Sequence, residues 1–125
     1  MRGILSFGAY VPRLRLQREA IFRSHSWYDA SLSAHRRGER AMCNFDEDAI
    51  TMAVEAARDC LAGHGSPAVD DLLLASTSLP YASRLNASIV AQALNLPEDM
   101  GALDIASSQR GAACGPRSLS STSRV

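Results

Sequence analysis

The chain has 125 residues, with 13 Arg and no Lys against 13 acids, a net charge of zero, and 46% hydrophobic and 21% charged residues. That balance excludes the basic excess by which nucleic-acid binders neutralise phosphates. The longest apolar runs fall far short of the about 20 residues that cross a membrane, and with neither signal peptide nor disulfide pattern the expected compartment is the cytoplasm.

Residues 3–11 (GILSFGAYV) are apolar and β-prone, and Pro12 closes them, which predicts a strand buried on at least one face. Residues 16–24 carry Leu16, Ala20, Ile21 and Phe22 and predict a short amphipathic helix. Residues 26–44 are polar, are interrupted by Gly38 and carry Arg36, Arg37 and Arg40. They read as a long loop, of a kind often tied to function, whose Arg cluster either meets a phosphate or is simply solvated.

Residues 46–62 are the clearest helix. Asp46, Glu47 and Asp48 stand at its start, where acids complement the macrodipole. Ile50, Val54, Ala57 and Leu61 make one stripe at helical spacing, flanked by Ala53 and Cys60, and Gly63 ends it. Residues 71–77 (DLLLAST) are a nearly continuous apolar run, as in a central strand covered on both faces. Asn86 is the expected cap of a helix over 86–96, which Pro97 stops, and residues 101–106 are the last strand. Strands alternating with helical crossovers predict an α/β layered domain with parallel pairing.

From Gly111 onward the pattern changes. Gly115-Pro116 breaks any helix, and five of the last eight residues are Ser or Thr. Residues 112–125 read as an irregular tail, as out-of-frame translation of a GC-rich gene or a natural short terminus would give. Cys43, Cys60 and Cys114 are widely spaced without a C-x-x-C pair, and His25, His35 and His64 lack finger-like spacing, so no metal site is expected.

The ordered set GILSFGAYVPRLRL, GERAM, DEDAITMAVEAA, VDDLLLASTS, ASIVAQALNLP and ALDI, spread over residues 3–111, resembles the N-terminal part of the thiolase superfamily. The nearest likeness is to its HMG-CoA synthase-like and 3-oxoacyl-ACP synthase III-like branch. The resemblance implies a five-layered αβαβα fold built from two similar halves, of which residues 1–111 would form most of the first. It also implies carbon–carbon bond chemistry beside a thioester of CoA or acyl carrier protein, with CoA thioester as substrate rather than bound cofactor. The parent would be a homodimer or part of a hetero-complex. The second half, which carries the family's His and Asn or second His, is not in this sequence, so the chain alone is expected neither to fold fully nor to catalyse.

Residue by residue, the family's nucleophilic cysteine, activated by a helix N-terminus and served by an oxyanion hole, falls five positions after the strand's Asp. Here that position is Gln109, whose amide donates a hydrogen bond but cannot be acylated as a thiolate can. Cys114 sits in an A-A-C-G context like the family's, but ten residues after Asp104 and two before Pro116. Where HMG-CoA synthases carry a general acid/base Glu, this chain has Ser78, a poor proton carrier. Trp27, with Arg37 and Arg40, corresponds to the coenzyme entry, where an indole stacks on adenine and guanidinium groups pair with phosphate; the other reading of Trp27 is a structural hydrophobic contact. Three functions follow from the resemblance: a fragment of a thioester acyltransferase, a non-catalytic subunit that binds acyl-CoA or scaffolds a partner enzyme, or a short acyltransferase piece using Cys114.

Overall fold

In the computed structural model the described residues are 3–62 and 69–106. They divide into two units, residues 11–47 on the one hand and residues 3–10 with 48–62 and 69–106 on the other.

In the Val11–Glu47 unit, β1 (Leu14–Gln17) pairs antiparallel with β2 (Glu39–Met42), Leu14 opposite Met42 and Leu16 opposite Arg40. Helix α1 (Arg18–His25) follows β1 directly, and the Arg18 N–H donates to the Gly38 carbonyl at 3.0 Å. A 3₁₀ helix, Ala30–His35, is capped by Asp29, whose carboxylate accepts from the Ser31 N–H at 2.8 Å. The stretch expected as a continuous loop thus contains a 3₁₀ helix and a strand. The strand gives no apolar signal because every residue of β2 is exposed. It is ordered by its ladder to β1, not by burial.

In the other unit the core is Ile50, Val54 and Val90, with Ala53, Leu72, Leu74, Ile89 and Leu94 packed against it. Helix α2 (Ala49–Leu61) supplies Ile50 and Val54 at i, i+4 spacing. It starts at Ala49, three residues after the predicted start, because Asp48 is its N-cap. The Asp48 carboxylate accepts from the Ile50 and Thr51 N–H groups, and the Thr51 hydroxyl accepts from the Asp48 N–H, a closed capping box. Gly63, the predicted helix end, lies outside the described residues.

Strand β3 (Asp71–Ala75) leads through helix α3 (Asn86–Ala93) to β4 (Gly101–Ile105), and β3 and β4 pair in parallel, with Leu73 opposite Leu103 and Leu74 opposite Asp104. Because side chains alternate across a strand, Leu72 and Leu74 face the helical core while Leu73 shares the other face with Leu103. Helix α3 ends before Pro97. Asn95 adopts a left-handed φ of 53°, and the Leu96 N–H reaches back to the Ala91 carbonyl at 3.0 Å, so the stop is a Schellman-type turn.

Residues 3–11 form no strand. Residues 3–10 run as irregular chain along α2, with the Ser6 hydroxyl donating to the Cys60 carbonyl at 2.7 Å and the Ala9 N–H to the Asp59 carboxylate at 3.1 Å. Gly8 lies so close to the helix backbone that a Cβ there would collide with the Ala56 carbonyl and the Cys60 N–H. Ile4, Leu5 and Phe7 point away and are 78–89% exposed. The β-prone sequence is present, but no described strand pairs with it.

Candidate functional site

The carboxyl ends of parallel strands are where α/β folds assemble sites, because the strands stop together and the loops leaving them line a crevice. β3 and β4 end side by side here. Beyond the last paired residues, the Ser76 N–H donates to the Ile105 carbonyl at 3.2 Å, extending the ladder by one bond. The chain then turns through Ser76–Ser78, where the Ser78 N–H donates to the Ser76 hydroxyl at 3.1 Å and the two hydroxyls lie 3.3 Å apart.

The edge is organised by Asp104, a carboxylate within an apolar strand. Its Oδ2 accepts from the Asn86 N–H at 2.7 Å and from the Asn86 amide at 2.8 Å, and its Oδ1 accepts from the Ala87 N–H at 2.7 Å. These are donors of the first turn of α3, which the helix itself cannot satisfy. Asn86 was expected to cap this helix. It is instead the first helical residue, the preceding Leu85 makes no side-chain cap, and the carboxylate from β4 performs the capping. Burial pushes the Asp104 carboxyl up, but the hydrogen bonds from the Asn86 side chain, the Asn86 N–H and the Ala87 N–H together hold it below the ordinary carboxylate value.

Asn86 in turn fixes the loop leading into α3. Its amide donates to the carbonyls of Tyr81 at 2.9 Å and Arg84 at 3.2 Å, and its Oδ1 accepts from the Tyr81 N–H at 3.2 Å. Asn86 is 1% exposed, so each of these bonds replaces water that cannot reach it. One buried amide and one carboxylate thus join the loop after β3, the start of α3 and the end of β4.

Gln109 and Cys114 lie outside the described residues, as does the rest of the stretch after Ala106. Ser78 sits at the carboxyl edge just described. Trp27, Arg37 and Arg40 belong to the Val11–Glu47 unit. The Trp27 ring is 83% exposed, donates through Nε1 to the Ser24 carbonyl at 3.0 Å and stands edge-on to Tyr28 at 5.9 Å. Arg40 lines a cavity of about 170 Å³ with Arg18, Ile21, Phe22, Leu32 and His35, and Trp27 and Arg37 stand outside that lining. Among the described residues no three His, Cys, Asp or Glu side chains converge on a metal position, and no helix is long and apolar enough to cross a membrane.

The pairing of Asn86 with Asp104 was not foreseen. Its signal is present in the sequence as a single acid inside Ala-Leu-Asp-Ile, since a carboxylate in a half-buried strand requires donors. Which donors, 18 positions away, only the fold reveals.

No protein-family model matches the chain. Curated relatives do. The hydroxymethylglutaryl-CoA synthase of Methanosarcina acetivorans is 42% identical over 108 residues, covering 82% of this chain and 30% of the relative. That of Aeropyrum pernix is 38% identical over 117 residues, covering 92% of this chain and 32% of the relative. The chain therefore spans about a third of the length of these relatives. Among solved structures, β-ketoacyl-[acyl carrier protein] synthase III of Thermus thermophilus superposes with a TM-score of 0.75 at 26% identity, over 94% of this chain and 38% of that one. A variant of OleA from Xanthomonas campestris gives a TM-score of 0.74 at 19% identity, a likeness of fold, over 94% and 38%.

Proposed function

Because the chain is a thiolase-superfamily sequence of the HMG-CoA synthase-like and 3-oxoacyl-ACP synthase III-like branch, with a partial α/β thiolase fold, we propose that it is a fragment of an acyltransferase acting on acyl-CoA or acyl-ACP thioesters. In this reading residues 1–111 are part of the thiolase-like domain and residues 112–125 are a tail outside it, from out-of-frame translation or a natural short terminus. The observation that carries the reading is the carboxyl edge of β3 and β4. There Asp104 and Asn86 hold the loop after β3 and the end of β4 in one arrangement, five residues before Gln109. A thioester carbonyl handled by a turn after β4 needs that turn anchored to a rigid scaffold, since a misplaced donor loses most of its value in the transition state.

The fragment performs no acyl transfer by itself. Gln109 offers an amide donor and no nucleophile, and the Ser78 hydroxyl is a poor proton donor or acceptor at neutral pH. Trp27, Arg37 and Arg40 are proposed as contacts to the coenzyme's adenine and phosphates, through an exposed indole and exposed guanidinium groups. The test is intact-mass analysis after incubation with acetyl-CoA and acetylated acyl carrier protein. No adduct and no released CoA are expected. An acyl adduct that disappears in Cys114→Ser overturns the inactive reading.

The substitution of Gln at position 109 also supports a second reading, a thiolase-like subunit that binds acyl-CoA without turning it over. Saturable acyl-CoA binding by the parent protein, with no CoA release, would select it over the first.

A further inference from the structure

The cavity in the Val11–Glu47 unit is built from three elements. α1 contributes Arg18, Ile21 and Phe22, the 3₁₀ helix contributes Leu32 and His35 one turn apart, and β2 contributes Arg40. Burial sorts these side chains into two layers. Ile21, Phe22 and Leu32 are half-buried, whereas Arg18, His35 and Arg40 are exposed. The result is an apolar floor beneath a rim of two guanidinium groups and an imidazole.

Arg18, His35 and Arg40 enter no ion pair among the described residues, where the pairs are Arg23 with Glu19 and Arg58 with Glu55. Of the unit's carboxylates, Asp29 accepts from Ser31, Glu39 from Gln17 and Glu47 from Asn44. Two guanidinium groups facing one concavity repel each other, and a fork of N–H donors without acceptors suits a planar anion.

Size narrows the ligand. Sites for drug-sized molecules run about 300–1,000 Å³. At about 170 Å³ this cavity is too small for a whole nucleotide coenzyme and fits a compact body of one ring or a short branched chain.

We propose that this cavity is a binding site for a small apolar carboxylate, its body on Ile21, Phe22 and Leu32 and its head held by Arg18 and Arg40. The site lies in the Val11–Glu47 unit and shares Arg40 with the proposed coenzyme contacts, whereas the β3–β4 edge lies in the other unit.

The test titrates the isotope-labelled chain with benzoate and follows the amide resonances of Ile21, Phe22 and Leu32 and the methyl resonances of Ile21 and Leu32. Benzyl alcohol supplies the same body without charge, and inorganic phosphate supplies charge without the body. Saturable benzoate shifts are expected, with both controls at least about tenfold weaker. The combined Arg18→Gln and Arg40→Gln variant should lose about tenfold in benzoate affinity. Arg40→Lys should fall between, because an ammonium keeps the charge and loses the fork, and Arg13→Gln, at an exposed position outside the lining, should bind as the unaltered chain does. Non-saturable shifts overturn the proposal. So does benzyl alcohol binding as well as benzoate, which would mean an apolar void, or phosphate binding as well, which would mean a charged surface only.

Discussion

Replacing Asp104 by Asn keeps the side chain's shape and removes one acceptor. The carboxylate serves three donors with two oxygens, Oδ2 taking both Asn86 groups and Oδ1 taking the Ala87 N–H. An amide has one oxygen. Turned toward Asn86, it presents its NH₂ to the Ala87 N–H; turned the other way, it presents the NH₂ to two donors. Ala87 is fully buried and Asn86 is 1% exposed, so water does not replace the lost acceptor. A buried donor left unsatisfied costs about 1–3 kcal/mol. Loss of the negative charge at the α3 N-terminus adds about 0.3–1 kcal/mol. The expected loss at the start of α3 is about 2 kcal/mol, or about 30-fold in local opening. Amide hydrogen exchange reads this locally, without requiring a cooperative global transition. The Ala87 amide should exchange about 30-fold faster in Asp104→Asn, and amides of α1 should not change. A change below about threefold at Ala87 would refute the account of Asp104 as the cap of α3.

Other outcomes follow from the same structure. The Asp104 carboxyl should titrate below its ordinary value of 3.8. Since a depressed folded value means the folded state binds the proton more weakly, the latch contributes fully above the ordinary carboxylate range and is lost as pH falls through the folded value. Protection of Ala87, corrected for intrinsic exchange, should therefore decline in acid in the unaltered chain and show no such step in Asp104→Asn; a midpoint above 3.8 would contradict the hydrogen bonding described. Gly8→Ala should lift residues 3–10 from α2, at a cost of about 1–3 kcal/mol, and proteolysis within that segment should accelerate. Asp48→Ala should cost about 1 kcal/mol and speed exchange at Ile50 and Thr51, whose N–H groups lose their acceptor. With Ile4, Leu5, Phe7 and Leu103 at least half exposed, the chain should bind a hydrophobic dye in native buffer; a sharp thermal transition without dye binding would contradict that.

Elements with a strong periodic signal were legible in the sequence. The stripe Ile50, Val54 located α2, and the run Leu72–Leu73–Leu74 located β3, because burial writes itself into apolar spacing. What escaped reading was held by other forces. β2 is fully exposed and rests on backbone pairing with β1, which leaves no hydrophobic trace. Residues 3–11 looked like a strand by composition, but a strand requires a partner edge, and no described strand offers one. The end of α3 was attributed to Pro97, while the left-handed Asn95 terminates it two residues earlier. At the candidate site the acid before the expected turn was visible in the sequence. Its role as the cap of α3 was not, because a local rule assigns capping to the residue at the helix start and here a carboxylate 18 positions away supplies it.

Under the proposed function this chain supplies part of a thiolase-fold acyltransferase. The most direct test is to read the coding DNA through and well beyond codon 111 in all three frames. A frame that continues past Gly111 as an Ala- and Leu-rich helix, followed by the later His and Asn motifs of the superfamily's second half, is expected. If no frame continues the fold, the chain is not a broken acyltransferase, and the claim fails in favour of a free-standing thiolase-like piece.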